Sequence, residues 1–155
     1  MTTPLVKQND IYLYFETIRQ LRAESVLDIG MTLKRCGAIS RQVADSAIDP
    51  QVYLCGIDLD PETTCPIYQC LYQEILSPEE LLQKGINSAP YDLAMLLNLP
   101  KESLTDQALL DFIKGHARYL LADNGASKTL MPFFSNNDAK TITLDTDTYL
   151  LIHKC

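Results

Sequence analysis

The chain has 155 residues, 46% of them hydrophobic and 21% charged, with six glycines and eight prolines, a balance that excludes disordered and fibrous classes and suits one globular domain. Its formal net charge of −7 argues against a long nucleic-acid track, because phosphate binding rests on clustered Lys and Arg. The longest apolar runs, such as Leu93 to Leu97, fall far short of the roughly 20 residues of a membrane-spanning helix.

The pattern in chain order is helix, then alternating strand and helix. Asp10 is placed to cap a first helix whose apolar positions Ile11, Tyr14, Phe15, Ile18 and Leu21 recur at three-to-four spacing. Ser25 to Gly30 is a short apolar run closed by glycine, the pattern of a buried parallel strand. Leu33 through Ala47 carries one helical stripe, with Leu33, Cys36, Gly37, Ser40, Val43, Ala44 and Ala47 on one side. Val52 to Ile57 reads as a second strand and Ile67 to Tyr72 as a third. Ser77-Pro78-Glu79-Glu80 combines an N-cap, a proline at the first helical position and a capping-box glutamate.

Tyr91 to Leu97 is the most apolar run and reads as a central strand. Ser103 or Thr105 caps a following helix with the stripe Leu109, Phe112, Ile113, His116 and Leu120, stopped by Asn124-Gly125. Ala126 to Met131 is the expected fifth strand, and Thr141 to Leu144 with Tyr149 to His153 form a closing hairpin. The expected fold is a three-layer α/β Rossmann-like sandwich, with a mostly parallel sheet of about seven strands and an antiparallel C-terminal hairpin. It forms a single domain over 1–155, made of an N-terminal helix (1–24) and an α/β core (25–155).

Ligands of such sheets bind at the carboxyl ends of the strands where strand order reverses, which singles out Asp28 to Thr32, Asp58, Glu74 and Asn98. Between Arg41 and Lys84 there is no basic residue but there are eight carboxylates, from Asp45 to Glu80. That stretch suits hydroxyls, amines or a cationic ligand and repels phosphate. No G-x-G-x-x-G run is present for a pyrophosphate. No HExxH, CxxC or G-x-S-x-G pattern points to a metal or a nucleophilic hydrolase. His116 and His153, on an apolar helix stripe and a terminal strand, read as structural. The five cysteines, in scattered positions, read as reduced thiols, and the N-terminal residues lack a secretory pattern, so a cytoplasmic location is expected.

At these residues the chain resembles the class I S-adenosylmethionine (SAM)-dependent methyltransferase family over nearly its whole length. Val26-Leu27-Asp28-Ile29-Gly30 is similar to the opening of the family's first motif, and Asp58 in Gly56-Ile57-Asp58-Leu59-Asp60 to the acid that holds the ribose. Glu74 falls where the family often has an acid beside the adenine, and Tyr91 to Asn98 resembles its fourth strand and following polar residue. The resemblance implies SAM as cofactor, held by Asp28, Gly30, Thr32, Asp58, Leu59, Glu74 and Asn98. Asp58 would accept both ribose hydroxyls, and Asp28 would lie near the methionine amine.

Where the family continues with further glycines, this chain has Met31-Thr32-Leu33-Lys34-Arg35-Cys36 before Gly37. Either a longer loop reaches Gly37, or a helix begins at Leu33 and Gly37 rests on the sheet; the stripe favours the second. Lys34, Arg35 and Arg41 read as a solvated helix face or a small basic group for a ligand carboxylate. Two functions follow. One is a SAM-dependent methyltransferase acting on a small molecule or a protein. The other is a methyltransferase-like module without catalysis, acting through a homodimer or another protein partner. Neither involves nucleic acid or a membrane.

Overall fold

A computed structural model describes residues 7–35, 51–60, 72–84, 90–130 and 138–153. Four apolar runs become parallel strands: β1 (Ser25–Ile29), β2 (Tyr53–Ile57), β4 (Tyr91–Leu96) and β5 (Ala117–Asp123), with a short β3 (Glu74–Leu76) outside β2. β6 (Asp138–Leu144) and β7 (Asp147–His153) form the hairpin, and β7 runs antiparallel to β5. The seven-stranded order is β3-β2-β1-β4-β5-β7-β6. Strand order therefore reverses between β1 and β4.

Helices cover both faces because alternate side chains of each strand enter opposite layers. Val26, Leu54, Leu93, Met95 and Leu121 meet Leu13, Tyr14 and Ile18 of α1 (Gln8–Leu21). Leu27, Ile29, Ile57, Leu96 and Leu120 face the other way, onto Leu81 of α2 (Pro78–Lys84), Leu109 and Ile113 of α3 (Gln107–His116) and Leu130 of α4 (Asn124–Leu130). Each fully buried leucine in these layers contributes about 1.5–3 kcal/mol. No described helix is long and apolar enough to cross a membrane.

Several local expectations are corrected. Asp10 is not the first cap: α1 starts at Gln8, and Asp10, one turn in, accepts the Lys7 backbone N–H at 3.1 Å. The third strand is Glu74–Leu76, beyond the run from Ile67 to Tyr72 that was expected to form it; all of that run but Tyr72 lies outside the described residues. Ser103 and Thr105 fall in a 3-10 turn (Lys101–Thr105), and Asp106 caps α3 by accepting from Leu109 N at 3.2 Å. The expected fifth strand from Ala126 is instead α4, capped by Asp123, whose Oδ1 accepts from Ala126 N at 2.9 Å. The true fifth strand begins directly after His116. The helix expected from Leu33 is, as far as it is described, a 3-10 turn over Thr32–Arg35. Gly37 and the rest of that stripe lie outside the described residues.

Candidate functional site

The carboxyl ends of β1, β2 and β4 frame one crevice. Gly30 N donates to Ile57 O at 2.8 Å, which brings the exit of β1 level with the tip of β2. Gly30 has φ +81°, and a Cβ there would lie 2.7 Å from Leu99 Cδ2, 3.3 Å from the Arg35 guanidinium and 3.5 Å from Leu59 Cδ1. Glycine is thus required by its backbone angle, and its bare Cα lets groups from three sides meet over it. Met31 follows at φ +52° and Asn98 closes β4 at φ +50°, so the rim is built from backbone that L-residues seldom adopt.

Asp28 lies below this rim on the α1 face of the sheet and is fully buried. Its carboxylate accepts from Thr32 N at 2.9 and 3.0 Å, Thr32 Oγ1 at 2.6 Å, Tyr14 Oη at 3.0 Å and Tyr72 Oη at 2.6 Å. Burial raises its pKa above the ordinary carboxylate value, against the opposing pull of the Thr32 and Tyr72 bonds and the Arg35 charge. Tyr72 Oη in turn accepts from Leu33 N at 3.1 Å. Asp28 and Thr32 therefore stand together as the fastening of the 3-10 turn to the strand. Tyr14, at 0% exposure, is part of that fastening, whereas Tyr12 is exposed.

Asp58 follows the tip of β2. Its Oδ1 accepts from Lys34 Nζ at 3.1 Å and from Asp60 N at 3.0 Å, and Lys34 Nζ also donates to Asp60 O at 2.7 Å. Leu59 is partly buried beside Gly30. Asn98 N donates to Asp123 Oδ2 at 2.6 Å. A cleft of about 170 Å³ opens beside Asn98, lined by Lys7, Asp10, Asp123, Asp147 and Tyr149 among others. The crevice thus brings Asp28, Gly30, Thr32, Asp58, Leu59 and Asn98 together. Glu74 stands apart. It is level with Cys55, two residues before the end of β2, and its carboxylate is held by Tyr53 Oη and by Lys84 Nζ at 3.2 Å.

Sequence reasoning named the two cations but read them as a solvated helix face or a group for a ligand carboxylate, and missed that they are buried on the chain's own oxygens. Arg35 is 4% exposed. Its Nε donates to Gly30 O at 3.0 Å, Nη1 to Asn98 O at 2.9 Å and Nη2 to Leu97 O at 2.8 Å. Neither it nor Lys34 is a solvated side chain. The available signal was adjacency: two cations four and five residues past a strand-ending glycine, opposite the acid of the next strand. Arg41 lies outside the described residues.

The histidines hold local packing. His116 stacks on Phe112 at 4.1 Å, and His153 on Tyr119 at 4.3 Å. Cys55 is a buried free thiol, and among the described residues no group of His, Cys, Asp and Glu is arranged to hold a metal.

No protein-family profile matches the chain, and no curated protein does. Solved structures match over nearly its whole length. The O-methyltransferase TomG from Streptomyces achromogenes, solved with SAM, is 16% identical, with a TM-score of 0.67 over 96% of this chain and 80% of that one. The Bacillus cereus O-methyltransferase, in complex with S-adenosylhomocysteine (SAH), is 11% identical, with a TM-score of 0.67 over 99% and 84%. A methyltransferase from Geobacter sulfurreducens is 13% identical, with a TM-score of 0.66 over 98% and 81%. The strand order, the antiparallel closing hairpin and these likenesses together establish that the chain has the Rossmann-like fold of the class I SAM-dependent methyltransferases.

Proposed function

We propose that this chain binds SAM and SAH at the carboxyl ends of β1, β2 and β4 and serves as a SAM-dependent methyltransferase, with a small molecule or a protein as acceptor. The observation that carries the reading is the juxtaposition of Gly30, at φ +81°, with the Asp58-Leu59 tip of the neighbouring strand. A carboxylate beside a glycine backbone suits a ribose, whose two hydroxyls donate to one acid while the sugar lies against the main chain. The residues present fit the adenosyl half of the cofactor: Asp58 for the ribose, Leu59 as an apolar wall, and Gly30 for close approach. Asp28 and Thr32 hold the turn in place, and Asn98 closes the far side. Glu74 is left out of the contact set by its bonds to Tyr53 and Lys84. The sulfonium supplies an electrophilic methyl group when the cofactor is bound; the chain's share of the work is to hold and orient the reactants.

The second reading, a methyltransferase-like module without catalysis that works through a protein partner, is favoured by one observation. Lys34 and Arg35 occupy the acid and the carbonyls that line the crevice.

Calorimetric titration of the purified protein with SAM and SAH tests the first reading. At 100 times its dissociation constant a ligand stabilises by about 2.7 kcal/mol, so a melting-temperature rise accompanies the heat. Asp58→Ala is expected to remove most of the affinity. Absence of heat and of any melting shift at millimolar SAM and SAH rejects the first reading in favour of the second.

A further inference from the structure

Three oxygens that hold Arg35 belong to the ends of two strands. Gly30 O closes β1, while Leu97 O and Asn98 O close β4, and between these strands the sheet order reverses. Three carbonyl dipoles converge there on one small volume. Such a volume favours a cation and disfavours an anion. It is also the place where an open α/β sheet receives its ligand. A side chain that is 4% exposed now fills it, and Lys34, one residue earlier in the same turn, covers Asp58.

We infer that these carbonyls form a cation seat, that Arg35 is its built-in occupant, and that Arg35 competes for it with the ammonium end of a bound cofactor. The inference rests on the cofactor reading above and adds a mode of control to the same crevice. Two cations cannot share three oxygens at hydrogen-bond distance, because their repulsion in a water-poor site is strong. Ligand entry therefore requires the Thr32–Arg35 turn to withdraw the guanidinium. The turn is suited to this. It is a single 3-10 turn of four residues, a form with weaker bonds than an α-helix. It is joined to β1 through Gly30 and Met31, both at positive φ, where a modest change of dihedral redirects the chain that follows. Its proximal half is fixed by the bonds of Thr32 to Asp28 and of Leu33 to Tyr72, so withdrawal of the guanidinium moves the distal half and also breaks the bonds of Lys34 to Asp58 and Asp60. The apparent affinity is then the intrinsic affinity reduced by the fraction of molecules with the seat open.

The test compares the unmodified protein with Arg35→Ala and Arg35→Gln by calorimetry, using SAM, SAH and methylthioadenosine, which lacks the amino-acid end. Arg35→Gln keeps two N–H donors for the strand-end carbonyls and serves if the alanine variant folds poorly; circular dichroism checks both. The expected result is SAM and SAH affinity at least tenfold higher in the variants, with methylthioadenosine changed much less. A separate readout is the melting temperature in 5 mM methylguanidinium, expected to rise in Arg35→Ala, whose seat is empty, and to stay constant in the unmodified protein. If the unmodified protein binds SAM and neither variant gains affinity, the competition is overturned while the cofactor reading stands. If only the variants bind, the inference is upheld and the unmodified chain is closed to the cofactor. If none of the three binds SAM at millimolar concentration, both ideas fall, whatever methylguanidinium does.

Discussion

The ammonium of Lys34 lies 3.1 Å from Oδ1 of Asp58, and the two side chains are only 8% and 9% exposed. A buried pair of this kind is costly to break and inexpensive to replace whole, because a lone buried charge keeps its desolvation penalty without its partner. Lys34→Met is therefore expected to lower stability by about 3 kcal/mol. The double variant Lys34→Met, Asp58→Asn is expected to recover most of that. Urea midpoints of the three proteins decide it; a double variant less stable than Lys34→Met would show that the pair is not the source of the loss.

Gly56 sits beside Asp28 in the sheet, and a Cβ on it would lie 2.9 Å from both Met31 Cγ and Tyr72 Cδ1. The tyrosine ring is buried and pinned by its hydroxyl, so it has little room to retreat. Gly56→Ala is expected to cost about 1–3 kcal/mol by overpacking. The same push would disturb the turn that Tyr72 supports. Denaturant unfolding gives the first quantity, and a weakened SAM response the second.

Tyr72→Phe removes a donor to Asp28 and an acceptor for Leu33 N in one step. Since both partners are buried, the expected loss is about 2 kcal/mol, in the range for a hydrogen bond to a charged group. Tyr14→Phe, which removes one donor from the same carboxylate, is expected to cost less. Reversal of that order in thermal melts would overturn this account of the turn.

The protein is expected to weaken in alkali. Burial pushes the Cys55 thiol from 9.0 up to about 11, and burial with the neighbouring Asp28 charge raises Tyr72 well above its ordinary value. An acid whose folded pKa is raised keeps its full contribution below the unfolded value and loses it as pH climbs through the folded one. For Cys55 that window runs from 9 to 11, and the two units correspond to about 3 kcal/mol. Urea midpoints at successive pH values across the window should fall, and Cys55→Ala should fall less steeply. Parallel curves for the two proteins would remove Cys55 from the explanation.

The strands that were legible in the sequence are those buried on both faces, since a continuous apolar run between breakers leaves few other readings. β1, β2 and β4 are of this kind, while the half-exposed hairpin was legible from the Asp145 to Thr148 turn between its two runs. β5 was hidden because Leu120 follows His116 at helical spacing, and Gly115, the one breaker at the joint, lies within the last turn of α3 and was read through. Periodicity alone could not mark a joint at which the chain turns from helix to strand within one residue. The segment after Asn124 was misread for the complementary reason. Its helix is started by Asp123, a residue that also belongs to the strand before it. In the crevice, the acids were legible because strand tips can be located from the runs before them. The burial of the cations was not, because whether Lys34 and Arg35 face water depends on the angles of Gly30 and Met31, which composition does not reveal.

The first helix is fastened to the last hairpin. Lys7 and Asn9 reach Asp147, and Tyr149 Oη donates to the buried Asp10 at 2.6 Å. These attachments join residues about 140 positions apart, so α1 cannot reach its final seat until nearly all of the chain is available. Contacts of such long sequence separation slow folding, because the loop must close before the contact rewards it. During synthesis α1 precedes β7 by more than a hundred residues, so its bonds to Asp147 and Tyr149 form only after the hairpin is made.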